Sequence, residues 1–389
     1  MNRLLLLSAA IAVGQFANSM VLPALPAVAR DLGVPAGSAG LAVTAYFAGF
    51  AIVGLFVGPL SDRTGRRPLL IGGLCVLALG SLSCALAPTF AALLAFRLLE
   101  ASGAAGSPVL ARAIVRDTRR DSELAAALGL LATIMSVSPV VGPILGGVVT
   151  DAFGWRWLFG ILAGLSLACA VSAYIAVPET LRTAVALTPR MLSRQMGFLW
   201  SRPRFRRGIL FGAAFYFAFG AIYTTAPFIL IEHFGLGHTQ FGIAFAVMSL
   251  CLAVGGMAGP RMQSFASRPR LLELAAVIAA AAGLLLFGLV EIGQDRVYTV
   301  VAGLALFGLA FGVALSVGAA LAFTDVGDAA GAASSLSGFV QIGAAAVGSA
   351  IANLLHSGSA LPLAVILLAT SAAAYLAIRG LQDAPPSTP

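Results

Sequence analysis

The sequence predicts an all-α membrane protein of twelve transmembrane helices arranged in two pseudo-symmetric six-helix bundles. Three observations lead to this prediction: the composition, the spacing of apolar stretches and an internal repeat. Of the 389 residues, 60% are hydrophobic and 10% are charged, and the mean hydropathy is +0.99. Because a soluble domain carries about 25% charged residues, lipid must surround most of this chain.

Apolar stretches recur along the chain, separated by short polar loops. A helix needs roughly 20 apolar residues to cross a bilayer, so each stretch predicts one span. The first stretch continues through two prolines without a clear cleavage site, and we expect it to be a retained helix rather than a signal peptide. The predicted spans lie near residues 4–27, 39–60, 69–88, 90–111, 124–150, 155–178, 207–231, 240–260, 271–290, 297–322, 328–354 and 360–380.

One polar, arginine-rich segment interrupts this rhythm close to the midpoint of the chain. It covers residues 179–206 and has six predicted spans on either side. We therefore predict an N-terminal six-helix bundle over residues 1–178, a cytoplasmic linker over 179–206 and a C-terminal six-helix bundle over 207–389.

A charged sequence between the second and third spans, which we call the island, recurs in the second half of the chain. The island is Gly58-Pro-Leu-Ser-Asp-Arg-Thr-Gly-Arg-Arg-Pro68, and its copy, 201 residues later, is Gly259-Pro-Arg-Met-Gln-Ser-Phe-Ala-Ser-Arg-Pro269. The first two and the last two residues recur in one ungapped register. Such a repeat after half the chain predicts two copies of one membrane-spanning unit.

The distribution of arginine predicts the orientation. All 23 basic residues are arginine, and the absence of lysine argues against a P-loop ATPase and against Schiff-base chemistry. Alternate loops place nineteen arginines on one side and three on the other. Since cytoplasmic loops collect arginine, we predict cytoplasmic termini and linker in a bacterial inner membrane. The net charge of +8 then has a topological origin, and no nucleic-acid partner is expected.

Cysteine and histidine do not predict a metal or cofactor site. Cys75, Cys84, Cys169 and Cys251 lie inside apolar spans without metal-ligand or redox spacing, and buried cysteines usually behave as small hydrophobic residues. The three histidines fall at loop ends. We expect no metal and no cofactor.

Arg97 and Glu100 are the ionisable residues placed well inside a span. Three positions apart on a helix, they share a face and can form an ion pair. An ionised side chain at bilayer depth is costly and marks a functional site by default. Two interpretations remain open: a structural ion pair, or a fixed Arg97 charge in a central cavity beside a Glu100 carboxylate that gains and loses a proton.

Polar and aromatic residues inside the spans predict the lining of a substrate cavity. Phenylalanines flanking the seventh-span tyrosines would add an adaptable apolar wall. The alternative for each residue is contact with another helix or with lipid. The candidate substrate-binding residues are Gln15, Asn18, Ser19, Tyr46, Arg97, Tyr216, Phe219, Tyr223 and Gln341.

The island and a glycine run in the fifth span predict gating elements. Asp62 opposes the arginine-rich trend of its loop, and we expect it to face a helix N-terminus, a contact worth about 0.3–1 kcal/mol, in one conformation only. The copy carries Gln263 instead. The glycine run predicts a close crossing with the eleventh span, where Gly343 and Gly348 have the same offset; ordinary packing is the alternative. The candidate gating residues are Gly58, Asp62, Arg63, Gly65, Arg66, Gly142, Pro143, Gly146 and Gly147.

These motifs together resemble those of the major facilitator superfamily over essentially the whole chain, most closely the twelve-helix drug:proton antiporters of the Bcr/CflA type. The island is similar to the family's loop motif, and Arg97-Leu-Leu-Glu-Ala-Ser-Gly103 to its fourth-helix motif, whose arginine is linked to proton coupling. The run from Gly142 to Gly147 is similar to the fifth-helix motif associated with exporters. The segments 22–32 and 112–117 also match the subfamily.

Two departures from the family pattern concern the proton carrier. Relatives often have an acid in the first helix where this chain has Asn18 and Ser19, and commonly have glutamine where it has Glu100. The resemblance therefore implies that the proton-accepting carboxylate has moved to Glu100. Asp31, near the periplasmic end of the first span, is the second candidate.

The resemblance implies a proton-coupled exporter of small, largely apolar compounds that works as a monomer by alternating access. Its partners would be the substrate, protons and the lipid bilayer. The alternative transport function is proton-coupled symport or facilitated passage of a small metabolite, an anionic one included, with Arg97 as the anchor. A membrane enzyme or a scaffold is disfavoured, because the sequence shows no metal cluster, nucleophile–base pair or cofactor loop.

Overall fold

A computed structural model describes residues 3–181, 189–293, 296–324, 326–356 and 358–379, and in these ranges the regular structure is helical. A 3₁₀ turn over Leu22–Ala24 joins the first two helices. The helices before the predicted linker are α1 (Arg3–Ser19), α2 (Leu25–Asp31), α3 (Ala36–Ala39), α4 (Leu41–Thr64), α5 (Arg66–Ala85), α6 (Phe90–Ala104), α7 (Gly106–Thr118), α8 (Asp121–Phe153) and α9 (Trp155–Ala176).

The second half of the chain continues the same pattern. A π-helical turn over Phe228–His233 extends one helix, and a 3₁₀ turn over Gly327–Ala329 precedes another. The helices are α10 (Pro189–Ser201), α11 (Pro203–Pro227), α12 (His238–Met262), α13 (Arg268–Glu291), α14 (Val297–Ala322), α15 (Ala330–Leu354) and α16 (Leu361–Arg379). Helix α10 lies in the predicted linker, of which residues 182–188 are outside the described ranges. We refer to residues 3–181 and 189–379 as the N-terminal and C-terminal parts.

Eleven helical stretches in the described chain are long and apolar enough to cross a membrane, which confirms the all-α membrane fold. The predicted fourth span differs because it is broken at Ala105 into α6 and α7. Pro108 explains the break: it has no N–H to donate to the carbonyl of Ala104, and its ring crowds that carbonyl. The exact bundle boundaries stay a prediction.

Glycines let the helices of the N-terminal part approach at backbone distance. A Cβ atom on Gly80 of α5 would lie 2.5 Å from the backbone nitrogen of Glu100, and one on Gly103 of α6 would overlap the backbone nitrogen of Leu77. Helices α5 and α6 therefore touch through their main chains. This contact holds the fourth-span ion pair against α5.

Aromatic rings fill the corresponding interior of the C-terminal part. Phe215 of α11 packs against Phe307 and Phe311 of α14, with the Phe215 and Phe311 rings stacked at 6.0 Å between centroids, and Phe211 lies 5.2 Å from Phe215. Helix α11 also packs closely on α15, and α12 on α14. This core is apolar, in contrast to the charged core of the N-terminal part.

The two parts meet through two helix pairs, α8 with α12 and α4 with α15. The predicted crossing of the fifth and eleventh spans is wrong: Gly147 of α8 packs on the backbone of His238 and Thr239, whereas Gly348 packs on α11. A Cβ atom on Gly343 would meet nothing within 4 Å. The physical reason for the difference is the internal two-fold relation between the halves, which exchanges the fifth span with the eleventh. The contact between the fifth and eighth spans, α8 and α12, is therefore equivalent to the contact between the eleventh and second spans, α15 and α4. No span has to pack on its own counterpart in the other half.

The Gly103 contact generates a stability prediction. We expect Gly103→Ala to lower the free energy of unfolding by about 1–3 kcal/mol, the usual cost of overpacking a close contact. Gly160→Ala on α9 is the control, because a Cβ atom there would meet nothing within 4 Å. We expect this variant to keep the wild-type free energy of unfolding or to raise it by about 0.5–1 kcal/mol. Unfolding midpoints of the purified protein in detergent measure both, and equal midpoints for the two variants would contradict the packing account.

Candidate functional site

The centre of the candidate site is the ion pair between Arg97 and Glu100 on α6. The Nη1 atom of Arg97 lies 2.5 Å from Oε2 of Glu100, and both side chains are 0% exposed. Helical spacing of three residues brings the two groups to one face, as the sequence predicts. The pair is therefore completely removed from solvent in this structure.

Helices α1, α4 and α9 surround the guanidinium group of Arg97. Its Nη1 atom donates to the carbonyl of Ala17 (2.8 Å), and Nε donates to the carbonyl of Ala42 (3.3 Å). The group lies 4.4 Å from the ring centroid of Tyr46 and 5.8 Å from that of Phe159. Aromatic faces attract cations, so the charge is stabilised on several sides within the N-terminal part.

Helix α5 supplies the partners of the Glu100 carboxylate. The hydroxyl of Ser81 donates to Oε1 at 2.7 Å, and the thiol of Cys84 lies 3.9 Å from Oε2. Every contact of the ion pair given by the described residues comes from the N-terminal part. The pair lies in a bundle core and not, in this conformation, on the wall of an open cavity.

Two buried side-chain atoms, one in the ion pair and one on α1, lack hydrogen-bond partners among the described residues. They are Nη2 of Arg97, a donor, and Oδ1 of Asn18, an acceptor. Asn18 follows Ala17, whose carbonyl already accepts from Arg97. An unpaired buried group costs free energy, so α6 holds one unused donor and α1 one unused acceptor in this conformation.

The predicted cavity residues of the N-terminal part separate into two groups. The hydroxyl of Tyr46 donates to the carbonyl of Gly14 at 2.8 Å in the bundle core. The hydroxyl of Ser19 donates to the carbonyl of Gln15 at 3.1 Å, and Ser19 also packs against Gly142 of α8. Tyr46 and Ser19 thus join helices, while the side chains of Gln15 and Asn18 are half-buried.

The predicted cavity residues of the C-terminal part form one aromatic group. Tyr216 lies 5.2 Å from Phe311, and Phe219 lies 4.2 Å from Tyr223 between ring centroids. Phe47 of α4 contacts Tyr223 at 5.9 Å and so joins the two parts. Gln341 of α15 lies over Gly212 of α11. Tyr216, Phe219 and Gln341 are half-buried, whereas Tyr223 is buried; their contact with substrate stays a prediction.

Asp62 makes its ion pair within the island. It lies 2.5 Å from Arg66, one turn along the chain, and its side chain is 34% exposed. Arg66 also reaches Asp117 at 3.5 Å. The expected contact of Asp62 with a helix N-terminus is not seen in this conformation, and the gating role of the island stays a prediction. Arg63 is exposed, and Gly65 provides the turn with φ +103°.

Glu179 occupies the N-terminus of α5, the helix that begins within the island. Its carboxylate accepts from the backbone N–H groups of Arg66 (3.0 Å) and Arg67 (3.2 Å), at the start of α5. It also accepts from the backbone of Thr180 and Leu181, each at 2.8 Å. This role of Glu179 is missed in the sequence analysis, although a signal for it exists. Because α5 begins with two arginines and no acid, the anion that a helix start favours must come from another segment.

Polar contacts join the two parts at one end of the molecule. The Asp151 carboxylate of α8 lies 2.7 Å from Nδ1 of His238 and accepts from the backbone N–H of Thr239 at 3.0 Å. The hydroxyls of Thr44 and Ser349 lie 2.7 Å apart. We call this set the clasp; its members are Thr44, Asp151, Thr224, His238, Thr239, Ser349 and Asn353.

Asp31, the second candidate proton carrier, lies in an exposed ion pair. It pairs with Arg156 of α9 and accepts from the indole N–H of Trp155 at 3.2 Å, and its side chain is 44% exposed. An exposed ion pair contributes little to stability. Its contacts join α2 to α9, and the described residues show no hydrogen bond or ion pair between Asp31 and the Glu100 site.

The Glu179 contacts generate a pH-dependent prediction. Burial raises the pKa of this carboxyl, but four backbone N–H groups outweigh it and hold the pKa below its usual value. A lowered folded-state pKa stabilises the protein above the ordinary glutamate range of about 4.3 and loses that contribution as the pH falls further. We expect Glu179→Gln to lower the unfolding midpoint near neutral pH, by an amount that shrinks below about pH 4.

Glu123→Gln is the matched control for this prediction. Glu123 is 72% exposed and pairs with Arg119 at 3.4 Å, so its removal should change the midpoint little at any pH. Thermal unfolding of both variants across the acid range makes the comparison. A Glu179→Gln difference that stays constant as the pH falls would contradict the carboxylate account.

Comparison with known proteins assigns the family. A family model described as Major Facilitator Superfamily matches residues 7–353. A chloramphenicol resistance protein of Pseudomonas aeruginosa is 29% identical, covering 94% of this chain and 87% of its own. The multidrug resistance protein MdtL of Klebsiella pneumoniae is 28% identical, and the match covers 83% of this chain and 81% of MdtL.

A solved structure shows the same fold. It is a bacterial homologue of the human lysosomal transporter Spinster in an inward-facing, unoccupied conformation, with a TM-score of 0.76 at 17% identity, covering 99% of this chain and 98% of that one. These findings agree with the motifs, the helical spans and the two related bundles. The chain belongs to the Major Facilitator Superfamily of multi-pass membrane transporters, and its relatives include proteins named for drug resistance.

Proposed function

We propose that this protein is a proton-coupled exporter of small, largely apolar compounds that works by alternating access. The observation that supports the proposal is the completely buried pair of Arg97 and Glu100, whose attraction depends on the charge of one carboxylate. The names of the relatives, which include chloramphenicol and multidrug resistance proteins, support export of drug-like compounds. The proton-coupling residues are Glu100 as the carrier and Arg97 as its fixed partner.

Protonation of Glu100 would change what Arg97 binds. A neutral carboxyl group attracts the guanidinium more weakly, so Arg97 would rely more on its acceptor from α1, the Ala17 carbonyl that it already contacts. Helix α1 would be drawn towards the guanidinium. A proton on Glu100 is thereby converted into a shift of one helix.

Helix α1 connects the ion pair to the clasp through α8. Ser19 and Met20 pack against Gly142 and Gly146 of α8, where even a Cβ atom would overlap them. The same helix carries Asp151, which holds the start of α12. Substrate and proton would then favour different states of one equilibrium, and this differential affinity is the coupling free energy.

We place the clasp on the periplasmic side of a bacterial inner membrane. The arginine bias puts both termini, the island and the linker in the cytoplasm, and the clasp lies at the opposite helix ends. The structure would then represent a state closed to the periplasm, in a protein that acts as a monomer. Arg97 is 0% exposed, which disfavours the alternative in which it anchors an anionic metabolite during import.

Substitution of Glu100 tests the proton carrier. We expect Glu100→Gln to reduce efflux driven by a pH gradient in proteoliposomes to the rate of protein-free vesicles, because an amide cannot exchange the proton, while substrate binding persists. Asp31→Asn is the matched control and should retain gradient-driven transport. Normal transport by Glu100→Gln, or loss only in Asp31→Asn, would contradict the assignment.

Cross-linking of the clasp tests alternating access. The Thr44 and Ser349 hydroxyls are 2.7 Å apart across the two parts, so Thr44→Cys with Ser349→Cys should form a disulfide when the four native cysteines are replaced by alanine. We expect oxidation to block transport and a reducing agent to restore it, with Thr44→Cys alone unaffected. Undiminished transport by the oxidised double variant would show that the clasp need not open.

A further inference from the structure

Ser81 of α5 differs from three other buried serines of the spans in the group that its hydroxyl binds. Those of Ser138, Ser166 and Ser371 donate to the carbonyl four residues earlier in their own helix, at 2.6–2.7 Å, a common arrangement for serine inside a helix. The Ser81 hydroxyl donates instead to Oε1 of Glu100 on α6, at 2.7 Å. It therefore serves the neighbouring helix rather than its own.

Close backbone packing fixes the position of this hydroxyl. Gly80, the preceding residue, lies so near α6 that a Cβ atom on it would be 2.5 Å from the backbone nitrogen of Glu100. Ser81 and Glu100 are both 0% exposed, so water does not compete for the hydrogen bond between them. In such low-dielectric surroundings a hydrogen bond is stronger than in water. The donor is thus held ready for the carboxylate.

Ser81 and Arg97 bind different oxygens of the same carboxylate. The Nη1 atom of Arg97 lies 2.5 Å from Oε2 of Glu100, whereas Ser81 binds Oε1. The ion pair alone would leave Oε1 without a donor from α5. A buried charged oxygen without a donor costs the full desolvation free energy of that group. The charged form of Glu100 therefore depends on the serine as well as on the arginine.

The other groups around Glu100 do not replace the serine. On α5 the thiol of Cys84 lies 3.9 Å from Oε2, and a thiol is a weak donor. On α4 Tyr46 interacts electrostatically with the carboxylate, but its hydroxyl donates to a carbonyl of α1. Helices α1 and α7 also pack on α6, and among the described residues neither gives this carboxylate a hydrogen bond or an ion pair. Arg97 and Ser81 remain as the strong donors.

We propose that Ser81 is a positioning residue that holds Glu100 in its charged, Arg97-bound form and so sets the pH at which this carboxylate takes up a proton. The charged carboxylate is a stronger acceptor than any backbone carbonyl. Once Glu100 is neutral, the carbonyl of Leu77, one turn earlier in α5, competes for the same hydroxyl. This inference rests on the proposed function, because it names what regulates the proton carrier of the exporter.

Infrared titration of the purified protein in detergent measures this role without any transport. The band of a protonated carboxyl group that is missing from Glu100→Gln reports the proton on Glu100. We expect Ser81→Ala to move the midpoint of this band to higher pH by about one unit, because the charged form loses one hydrogen bond to a charged acceptor. Ser81→Thr keeps a hydroxyl and should retain the wild-type midpoint. Ser81→Cys, a weaker donor, should lie between Ser81→Ala and the wild type.

Ser166→Ala is the matched control. Ser166 is also 0% exposed, and its hydroxyl donates to the carbonyl of Leu162 in its own helix at 2.6 Å. The substitution removes a buried hydroxyl without removing a partner of Glu100, so the midpoint should stay at the wild-type pH. A wild-type midpoint in Ser81→Ala or Ser81→Cys, or equal shifts in Ser81→Ala and Ser166→Ala, would overturn the proposal. A Ser81→Thr midpoint as high as that of Ser81→Ala would contradict a role for the hydroxyl.

Transport measurements separate this inference from the proposed function. In a proton-coupled exporter, Ser81→Ala should move the pH profile of efflux to higher pH by the same amount as the infrared midpoint. Transport that ignores a pH gradient, with the infrared shift intact, would overturn the proton-coupled exporter and leave the role of Ser81 standing. An unshifted infrared midpoint in a protein whose efflux follows the pH gradient would overturn the role of Ser81 alone.

Discussion

The N-terminal part depends on one constraint: the charge of Arg97 must be satisfied without water. An uncompensated buried charge costs several kcal/mol, so a carboxylate, two carbonyls and an aromatic face converge on it from several helices. These groups can converge only if the helices touch at backbone distance. Gly80 and Gly103 provide this approach between α5 and α6. The glycine content of the spans is thus linked to the buried ion pair, beyond its general use in packing.

The two related bundles apply the same geometry to different interiors. The C-terminal part fills its core with stacked phenylalanines. The island differs in the same way from its copy: Asp62, Arg66 and Glu179 form a charged network, whereas Gln263 accepts from Arg268 at 3.0 Å and Arg268 reaches Thr324 at 3.2 Å. Among the described residues, the fully buried ion pair lies in the N-terminal part; under the proposed function, a proton would act on that half while the other half remains an apolar counterpart.

Local features were predictable from the sequence, and long-range pairings were not. The spans follow from hydropathy, and the pairing of Arg97 with Glu100 follows from helical spacing. Asp31 pairs with Arg156, and Glu179 binds the helix start at Arg66. In both pairs the two residues lie far apart in the sequence, so no local pattern predicts that they meet. The α8 crossing was mispredicted because an offset between repeats identifies equivalent helices but does not say which helices touch.

The short contacts of α1 limit how the ion pair and the clasp can move. On one side the Ala17 carbonyl accepts from Arg97. On the other, the Met20 backbone lies so close to Gly146 that a Cβ atom there would overlap it. Packed backbones have no rotamers with which to absorb a displacement, and tightly packed interfaces tend to have discrete arrangements. A shift of α1 must therefore either displace α8 or be prevented by it; under the proposed function, the state of the clasp and the charge of the carboxylate would both follow the position of this one helix.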